Sequence, residues 1–503
     1  MEVELKFELP PASREALLAL PALAAGIPER RRLRAIYFDT PDCALARAQM
    51  ALRLRRSGRR WVQTLKAGAS GAGGLHARDE WEFARPGPSL DLSLFVESPL
   101  ADLDEAATLH RRLAPVFEVD TRRTAWQLAP QPGSKLEVAF DTGEVASGER
   151  REAFSEVEIE CLEGGPDAAF DLAARMLDHV AMRPSAVTKA QRGYRLFRGA
   201  RLAPVKSSPI ELEAAMAPQA AARAIVASNL EQLQANEEGV LHAAAPEFVH
   251  QARIALRRMR SSLRLFRDAI GFEQAAAWRE QLAGAASALG RARDWDVLGT
   301  ESLPPALAAF GDAALGRRLR SAVARRRRTE REHARRTLLA ASHAKVILEI
   351  ARWLGAGQAT GDCAARLDEF AARVMRKRHK RLLADAAHVA RLSSAERHRL
   401  RVDAKRLRYG VESLASVFKA RRTKRYVARL VGLQDALGRE HDAATALALL
   451  PELEPPAPFA AFARGWFGAI ARGDPRSLEE LVARLERAGR PWRRKVSKDS
   501  DPA

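Results

Sequence analysis

Seven short stretches of this chain place polar or ionisable side chains at every second position. Glu2, Glu4, Lys6 and Glu8 alternate with Val3, Leu5, Phe7 and Leu9. Arg53 and Arg55, then Thr64 and Lys66, then Arg78, Glu80 and Glu82 follow the same rule. So do Glu118, Asp120 and Arg122, then Lys135, Glu137 and Asp141 opposite Leu136, Val138 and Phe140, and last Glu156, Glu158 and Glu160 opposite Val157 and Ile159. A strand turns successive side chains to opposite faces, so these stretches present a charged face and most of them an apolar face behind it. Three glutamates in a row on one face repel one another unless something cationic sits among them, and Glu2 with Glu4 poses the same problem. A hard divalent cation with oxygen ligands answers both. Arginines and lysines on neighbouring strands suit the oxygens of phosphate. Carboxylates and cations gathered in one cavity are what metal-assisted phosphoryl transfer requires.

The elements that must position these groups are strands, with turns at Ser57-Gly58, Gly71 to Gly74, Pro132-Gly133 and Gly164-Gly165. An antiparallel sheet of this pattern can lie flat with a wet charged face, or close into a barrel with its charges inside. Closure removes exposed edges and concentrates charge; periodicity alone leaves both open. Asp39 stands at a turn and reads as structural. Pro204 to Pro209 reads as a linker, and from Glu211 the chain is rich in Ala, Leu, Arg and Glu at helical spacing.

Charge divides at the same place. Residues 1–200 hold 28 Lys+Arg against 29 Asp+Glu; the chain's totals of 83 and 63 leave 55 and 34 for the rest, a net of +21. The C-terminal part alone attracts polyanions. Within it His250-x-x-Arg253-x-x-x-Arg257-Arg258-x-Arg260 recurs as His398-x-x-Arg401-x-x-x-Lys405-Arg406-x-Arg408, offset by 148 residues. Leu289-Gly290 and the following Arg293-Asp294 recur as Leu437-Gly438 and His441-Asp442 at the same offset, which marks a duplicated helical unit of about four helices per copy. On a helix, His250, Arg253, Arg257, Arg260 and Arg264 share one stripe beside the apolar Leu256, Met259, Leu263 and Phe266. Like charges at this spacing cost roughly 0.2–0.5 kcal/mol per pair, and a bound polyanion relieves the cost. The Arg325 to Arg328 run reads as a solvated helix face or loop that would strengthen a polyanion field. Cys43, Cys161 and Cys363 lie far apart with no metal-ligand spacing, which fits a reducing compartment. With no signal peptide legible at the N-terminus and no apolar run of membrane-spanning length, the chain is expected to be cytoplasmic, without a membrane partner.

Glu2-x-Glu4-x-Lys6 resembles the ExExK signature of the CYTH superfamily, the triphosphate tunnel metalloenzymes. Tyr37-Phe38-Asp39-Thr40, Leu52 to Arg56, Thr64-Leu65-Lys66, Arg78 to Glu82, Ser155 to Glu160 and Lys189 are similar to that family in type and order. The resemblance implies a multidomain α+β protein that opens with an eight-stranded antiparallel β-tunnel. It implies Mg2+ or Mn2+ held by Glu2, Glu4, Glu156 and Glu158, and phosphates held by Lys6, Arg53, Arg55, Lys66 and Lys189. Arg78, Glu80, Glu82 and Arg122 are expected beside the substrate. The activity implied is hydrolysis of inorganic triphosphate by in-line attack of a metal-oriented water. An organic triphosphate such as thiamine triphosphate or a nucleoside triphosphate is the alternative substrate, and a non-catalytic polyphosphate-binding protein the alternative reading.

The two histidine–arginine motifs with Leu289-Gly290-x-Ala292-Arg293-Asp294-x-Asp296-Val297 resemble the CHAD domain, the conserved-histidine alpha-helical domain. That resemblance implies an all-α pair of four-helix bundles binding polyphosphate through His250, Arg253, Arg257, Arg260, Arg264, His398, Arg401, Lys405 and Arg408. The expected partners are tripolyphosphate and long-chain polyphosphate, with no specific nucleic acid. The expected domains are 1–200 for the tunnel, 201–210 for a linker, 211–490 for the helical part and 491–503 for a disordered tail.

Overall fold

The computed structural model describes residues 2–24, 26–68, 71–103, 106–356 and 366–492, and of Glu2, Ala106 and Ala107 the backbone alone. Cys363 and the tail from residue 493 lie outside the described residues. Among the described residues no helix is long and apolar enough to cross a membrane. The chain forms two compact units, one of residues 1–203 with 338–357, the other of 204–337 with 358–503.

The first unit is a closed antiparallel barrel. Its strands are β1 (Glu2–Glu8), β2 (Glu29–Asp39), β3 (Met50–Ser57), β4 (Arg60–Ala67), β5 (Leu75–Arg85), β6 (Ala114–Leu128), β7 (Lys135–Ser147) and β8 (Arg150–Glu163). They run in the order β5-β4-β3-β2-β6-β7-β8-β1, and β1 pairs β5 to close the ring. Closure settles which of the two sheets the alternation builds: the charged faces of β1, β3, β4, β5, β7 and β8 turn inward. The apolar faces turn outward and form a core in which Leu5, Phe7, Leu136, Val138, Phe140, Val157 and Ile159 are at most 4% exposed. Helix α1 (Asp167–Met176) covers that core with Phe170, Leu172, Ala173 and Met176. Each such aliphatic or aromatic side chain contributes about 1.5–3 kcal/mol on burial, which offsets the cost of a charged interior.

A second cover comes from far along the chain. The helix Ala341–Gly355 belongs to this unit and puts Ala344, Leu348 and Ala351 into the same core. Arg352 donates to Asp167 at 2.9 Å and Asp171 at 2.7 Å, and Lys345 pairs with Asp178. Sequence reading places these residues inside the helical part.

Helix α2 (Lys189–Phe197) closes one end of the barrel. Tyr194 packs on Phe117 at 5.1 Å, and Phe117 stacks on Tyr37 at 4.5 Å. A Cβ on Gly193 would lie 2.2 Å from the Phe117 ring, so this approach requires glycine. At the other end β2 sets arginine against arginine. Arg31 faces Arg123, Arg32 faces Arg122 and Arg34 faces Arg56. Like charges directly opposite are destabilising, and here Glu29 and Asp120 compensate: Glu29 pairs with Arg31, and Asp120 with Arg32 and, at 3.4 Å, Arg34.

The second unit is helical throughout. Helices α3 (Pro218–His242), α4 (Pro246–Leu265) and α5 (Ala283–Val297) form the first copy, with α4 packed on α3 and α5. Helices α6 (Leu367–Asp385), α7 (Ser394–Ser413) and α8 (Ala420–Leu449) form the second, with α7 packed on α6 and α8. Both ends of α4 and α7 differ by 148 residues, the offset of the sequence repeat. Leu256, Met259, Leu263 and Phe266 are fully buried, and α4 meets α7.

Candidate functional site

The barrel encloses a cavity of about 1090 Å³. Lys6, Arg53, Arg55, Lys66, Lys189, Glu4, Glu158, Arg78, Glu80 and Glu82 all line it. Cross-strand register brings them together: Glu4 stands beside Glu160, Lys6 beside Glu158 and Lys66 beside Glu80. Glu137 flanks Glu160 on the far side, so three carboxylates on adjacent strands face the cavity in a row. Lys66 pairs with Glu80 at 3.0 Å, Arg53 with Glu80 at 3.6 Å and Arg55 with Glu82 at 3.1 Å. The Glu80–Glu82 pair thus holds the cations of β3 and β4 in place. Thr188 caps α2: its hydroxyl accepts from Gln191 N at 3.1 Å while Gln191 Oε1 accepts from Thr188 N at 2.9 Å. This capping box fixes Lys189 in the first turn, facing the cavity.

Deeper in, Asp141, Glu156 and Glu158 present oxygens within 4.8 Å of one another. Lys189 reaches Asp141 at 2.8 Å and Glu158 at 2.9 Å and pairs with Glu156. Lys6 reaches Glu156 at 2.8 Å, and Arg123 donates two 2.8 Å hydrogen bonds to Asp141. Burial raises a carboxyl group's pKa, but Lys189, Arg123 and Lys6 overcome this and hold Glu158 well below the usual carboxylate range. Burial likewise works against the Lys189 ammonium, and Asp141, Glu156 and Glu158 outweigh it, raising Lys189 well above its ordinary value. An all-oxygen set at this spacing fits a hard divalent cation. The side chain of Glu2 lies outside the described residues.

In the barrel the structure corrects the placement of Arg122 and adds Arg123, Asp141, Glu137 and His76. Arg122 is exposed on the outer face, and its neighbour Arg123 points inward. The charged face of β6 that carries Glu118, Asp120 and Arg122 is a solvated exterior; its inner face holds Phe117, Val119, Thr121 and Arg123. Asp141 and Glu137 are further additions. Their signal was present, since they share a face opposite Leu136, Val138 and Phe140. His76 was missed entirely. It is buried, donates from Nε2 to the Ser185 carbonyl at 3.0 Å and accepts from Arg78 at Nδ1 at 3.2 Å. Burial and Lys6 push it down to about 3, so it is neutral and orients Arg78. Asp39 accepts backbone N–H bonds from Thr40, Leu45 and Ala46 at 2.7–3.0 Å and ties its turn together.

In the second unit, α4 and α7 bring their stripes together around a cleft of about 320 Å³ lined by Arg253, Arg257, Arg260, Arg264, His398, Arg401 and Lys405. His250 lines an adjoining recess. The duplication is visible in the contacts. Arg253 lies 3.8 Å from Asp294, and Arg401 lies 3.8 Å from Asp442, 148 residues on. Arg253 Nε passes 3.7 Å from where a Cβ on Gly290 would sit, and Arg401 Nε 4.0 Å from that of Gly438. Each repeated Leu-Gly therefore leaves a smooth helix surface for the arginine to cross. Arg408 does not line the cleft. Glu412 stands where the first copy has Arg264, and it takes Arg408 at 3.6 Å and Arg258 at 3.0 Å. Arg279, Arg406, Tyr409 and His441 complete the lining instead. Burial, Arg257, Arg401 and Arg253 push Lys405 down to about 6, and burial with Arg401 and His398 pushes His441 down to about 3. The Arg325 to Arg328 run divides: Arg325 and Arg328 are exposed, while Arg327 pairs at 2.7 Å with the fully buried Asp296 and Arg326 lies 6.0 Å over Trp295.

The model of the CYTH domain matches residues 1–194, and that of the CHAD domain matches residues 224–451. A solved CHAD domain from Ricinus communis is 31% identical; the match covers 57% of this chain and 98% of that one, with a TM-score of 0.50. The chain belongs to the CHAD domain family, and its first 194 residues match the CYTH domain. An inorganic triphosphatase of Haemophilus influenzae is 34% identical over 161 residues, 32% of this chain and 44% of that protein. An uncharacterized protein of Mycobacterium tuberculosis is 29% identical over 287 residues, 54% of this chain and 52% of that protein. The chain thus spans about half the length of the curated relatives it matches.

Proposed function

We propose that the CYTH barrel hydrolyses inorganic triphosphate with magnesium or manganese, and that the cleft of the CHAD unit binds polyphosphate. The observation that carries the first part is the meeting of Asp141, Glu156 and Glu158 with Lys6, Arg53, Arg55, Lys66 and Lys189 around one cavity. Similarity to the Haemophilus influenzae inorganic triphosphatase supports the same reading. Asp141, Glu156 and Glu158 would hold the metal, with Glu4 and Glu2 on the strand beside them. A bound ion supplies charge neutralisation and Lewis acidity at the phosphate oxygens. The chain's own part is positioning and electrostatic stabilisation, the two demands of phosphoryl transfer. Arg53, Arg55 and Lys66 hold phosphate oxygens; Lys189 and Arg123 meet charge developing on the leaving pyrophosphate. Their pairing with carboxylates before substrate arrives keeps them ordered. Arginine forks suit the bidentate grip.

In the CHAD cleft, cations outnumber carboxylates and burial disfavours their charge, which a polyanion would restore. The test is phosphate release from tripolyphosphate with magnesium, with manganese and with chelator, for wild type and for Glu4→Gln. Metal-dependent release that the substitution abolishes supports the assignment. No release with either metal defeats it.

A further inference from the structure

The cavity closes at one end and opens at the other. The apolar cluster of Tyr37, Phe117 and Tyr194 fills the first. A linear chain therefore enters by a terminus, and whatever does not fit must leave over the open rim. That rim is unusually cationic. Arg59 and Arg60, in and beside the β3–β4 turn, line it and make no ion pair among the described residues. On the outer surface beside them lie the exposed arginines of β2 and its neighbours, Arg32 against Arg122 and Arg34 against Arg56. Arg122 has no ion-pair partner among the described residues, and Asp120 is shared by Arg32 and Arg34. Side chains on alternate positions of a strand repeat about every 6.8 Å, and neighbouring strands lie about 4.8 Å apart. The guanidiniums thus form a band running from the rim along the outside of the barrel. A structure that opposes arginine with arginine across strands, with one carboxylate between them, is arranged for an anionic chain.

We propose that this band is a docking rail for the part of a linear polyphosphate that remains outside the cavity, so that the barrel accepts the ends of chains longer than triphosphate. This rests on the hydrolase reading above. The phosphates repeat regularly along a flexible backbone that carries no bases; beside the band stands Trp61, whose ring lies 5.8 Å under the Arg56 guanidinium, so the guanidiniums supply the contacts.

The test uses the full chain carrying Arg257→Glu and Arg401→Glu, so that the helical cleft contributes little. In that background, kcat/KM for long-chain polyphosphate and for tripolyphosphate is compared with and without Arg34→Glu and Arg56→Glu. The ratio of long-chain to tripolyphosphate efficiency is expected to fall about tenfold, which corresponds to about 1.4 kcal/mol, through KM. Arg122→Glu alone should move it the same way by less. A ratio unchanged within about twofold, or an equal loss on both substrates, overturns the rail. Should the background protein release no phosphate at all, the hydrolase reading falls and binding decides the rail. Retention of labelled long-chain polyphosphate should then weaken about tenfold in the double variant, with a shallower salt dependence, and unchanged retention overturns it. Single-stranded RNA of matched charge retained as tightly at the same salt would overturn polyphosphate as the occupant.

Discussion

Lys189 in the barrel and Lys405 in the helical cleft are both half-buried lysines among phosphate-binding candidates, yet their surroundings drive them in opposite directions. Lys189 meets three carboxylates and is held well above its ordinary value. Lys405 meets Arg257, Arg401 and Arg253 with only Asp442 against them and falls to about 6. Near its floor the barrel sets Lys189, Lys6 and Arg123 among Asp141, Glu156 and Glu158, so these charges are paired before any ligand arrives. The cleft gathers more cations than carboxylates, so ligand supplies the missing charge. The first arrangement suits chemistry, which needs groups preorganised; the second suits capture.

The largest expected effect separates the two lysines by stability. Lys189→Met removes the cation from buried Asp141, Glu156 and Glu158 and should cost about 3–5 kcal/mol in urea unfolding of the barrel. Lys405→Met removes a poorly solvated cation and should change the helical unit's stability by less than about 1 kcal/mol while weakening polyphosphate binding. Similar losses from both would erase the contrast. Next, Glu158→Gln should lower phosphate release from tripolyphosphate more than about a hundredfold, whereas Asp442→Asn should leave that rate within about twofold.

The third sharpens the cleft's side. Between pH 6 and 10 the unfolded chain binds a proton at Lys405 that the folded chain does not, so this group's contribution raises the helical unit's stability as pH rises through that window. A bound polyanion lifts the lysine's pKa, and binding takes up a proton. Polyphosphate affinity should therefore increase several-fold from pH 8 to pH 6 at constant ionic strength, and Lys405→Arg should flatten the slope. Tripolyphosphate affinity in the barrel, where Lys189 stays charged, should lack that slope. The smallest effect belongs to His76. Because it is neutral throughout this range, His76→Gln should raise KM for tripolyphosphate about two- to fivefold without altering the pH profile; a changed profile would show that the imidazole titrates after all.

The interior of the barrel was legible because alternation at period two assigns each side chain a face, and Lys6, Arg53, Lys66 and Glu158 follow it. Closure was not, because flat and closed sheets share that alternation. Arg122 misled for a related reason: on β6 the face carrying Glu118 and Arg122 is exposed to solvent while the inner face holds Phe117 and Val119, so charge there does not mark the inside. In the helices, the 148-residue repeat carried the cleft, and Arg253, Arg257 and Arg401 arrived as a stripe. Arg408 did not, since the i,i+4 partner that displaces it, Glu412, is itself a break in the repeat. His76 continues the alternation of Arg78, Glu80 and Glu82, and Tyr409 the helical spacing of Arg401 and Lys405, but neither spacing names a role. Their roles come from neighbours distant in sequence.

Helix Ala341–Gly355 was equally illegible as part of the barrel, because an amphipathic face does not name the body it packs on. Its membership sets a timetable for synthesis. The last strand of the barrel is complete by Glu163, but the helix that finishes its outer core emerges some 150 residues after Ala203. At about 5–20 residues per second the nascent barrel waits roughly 8–30 s with the Ala344, Leu348 and Ala351 contacts unmade, while the first helical copy is already being translated. An expression vector that stops near residue 203 makes that delay permanent, and a fusion that exchanges the two halves at the linker would pair the barrel with another protein's version of its missing helix.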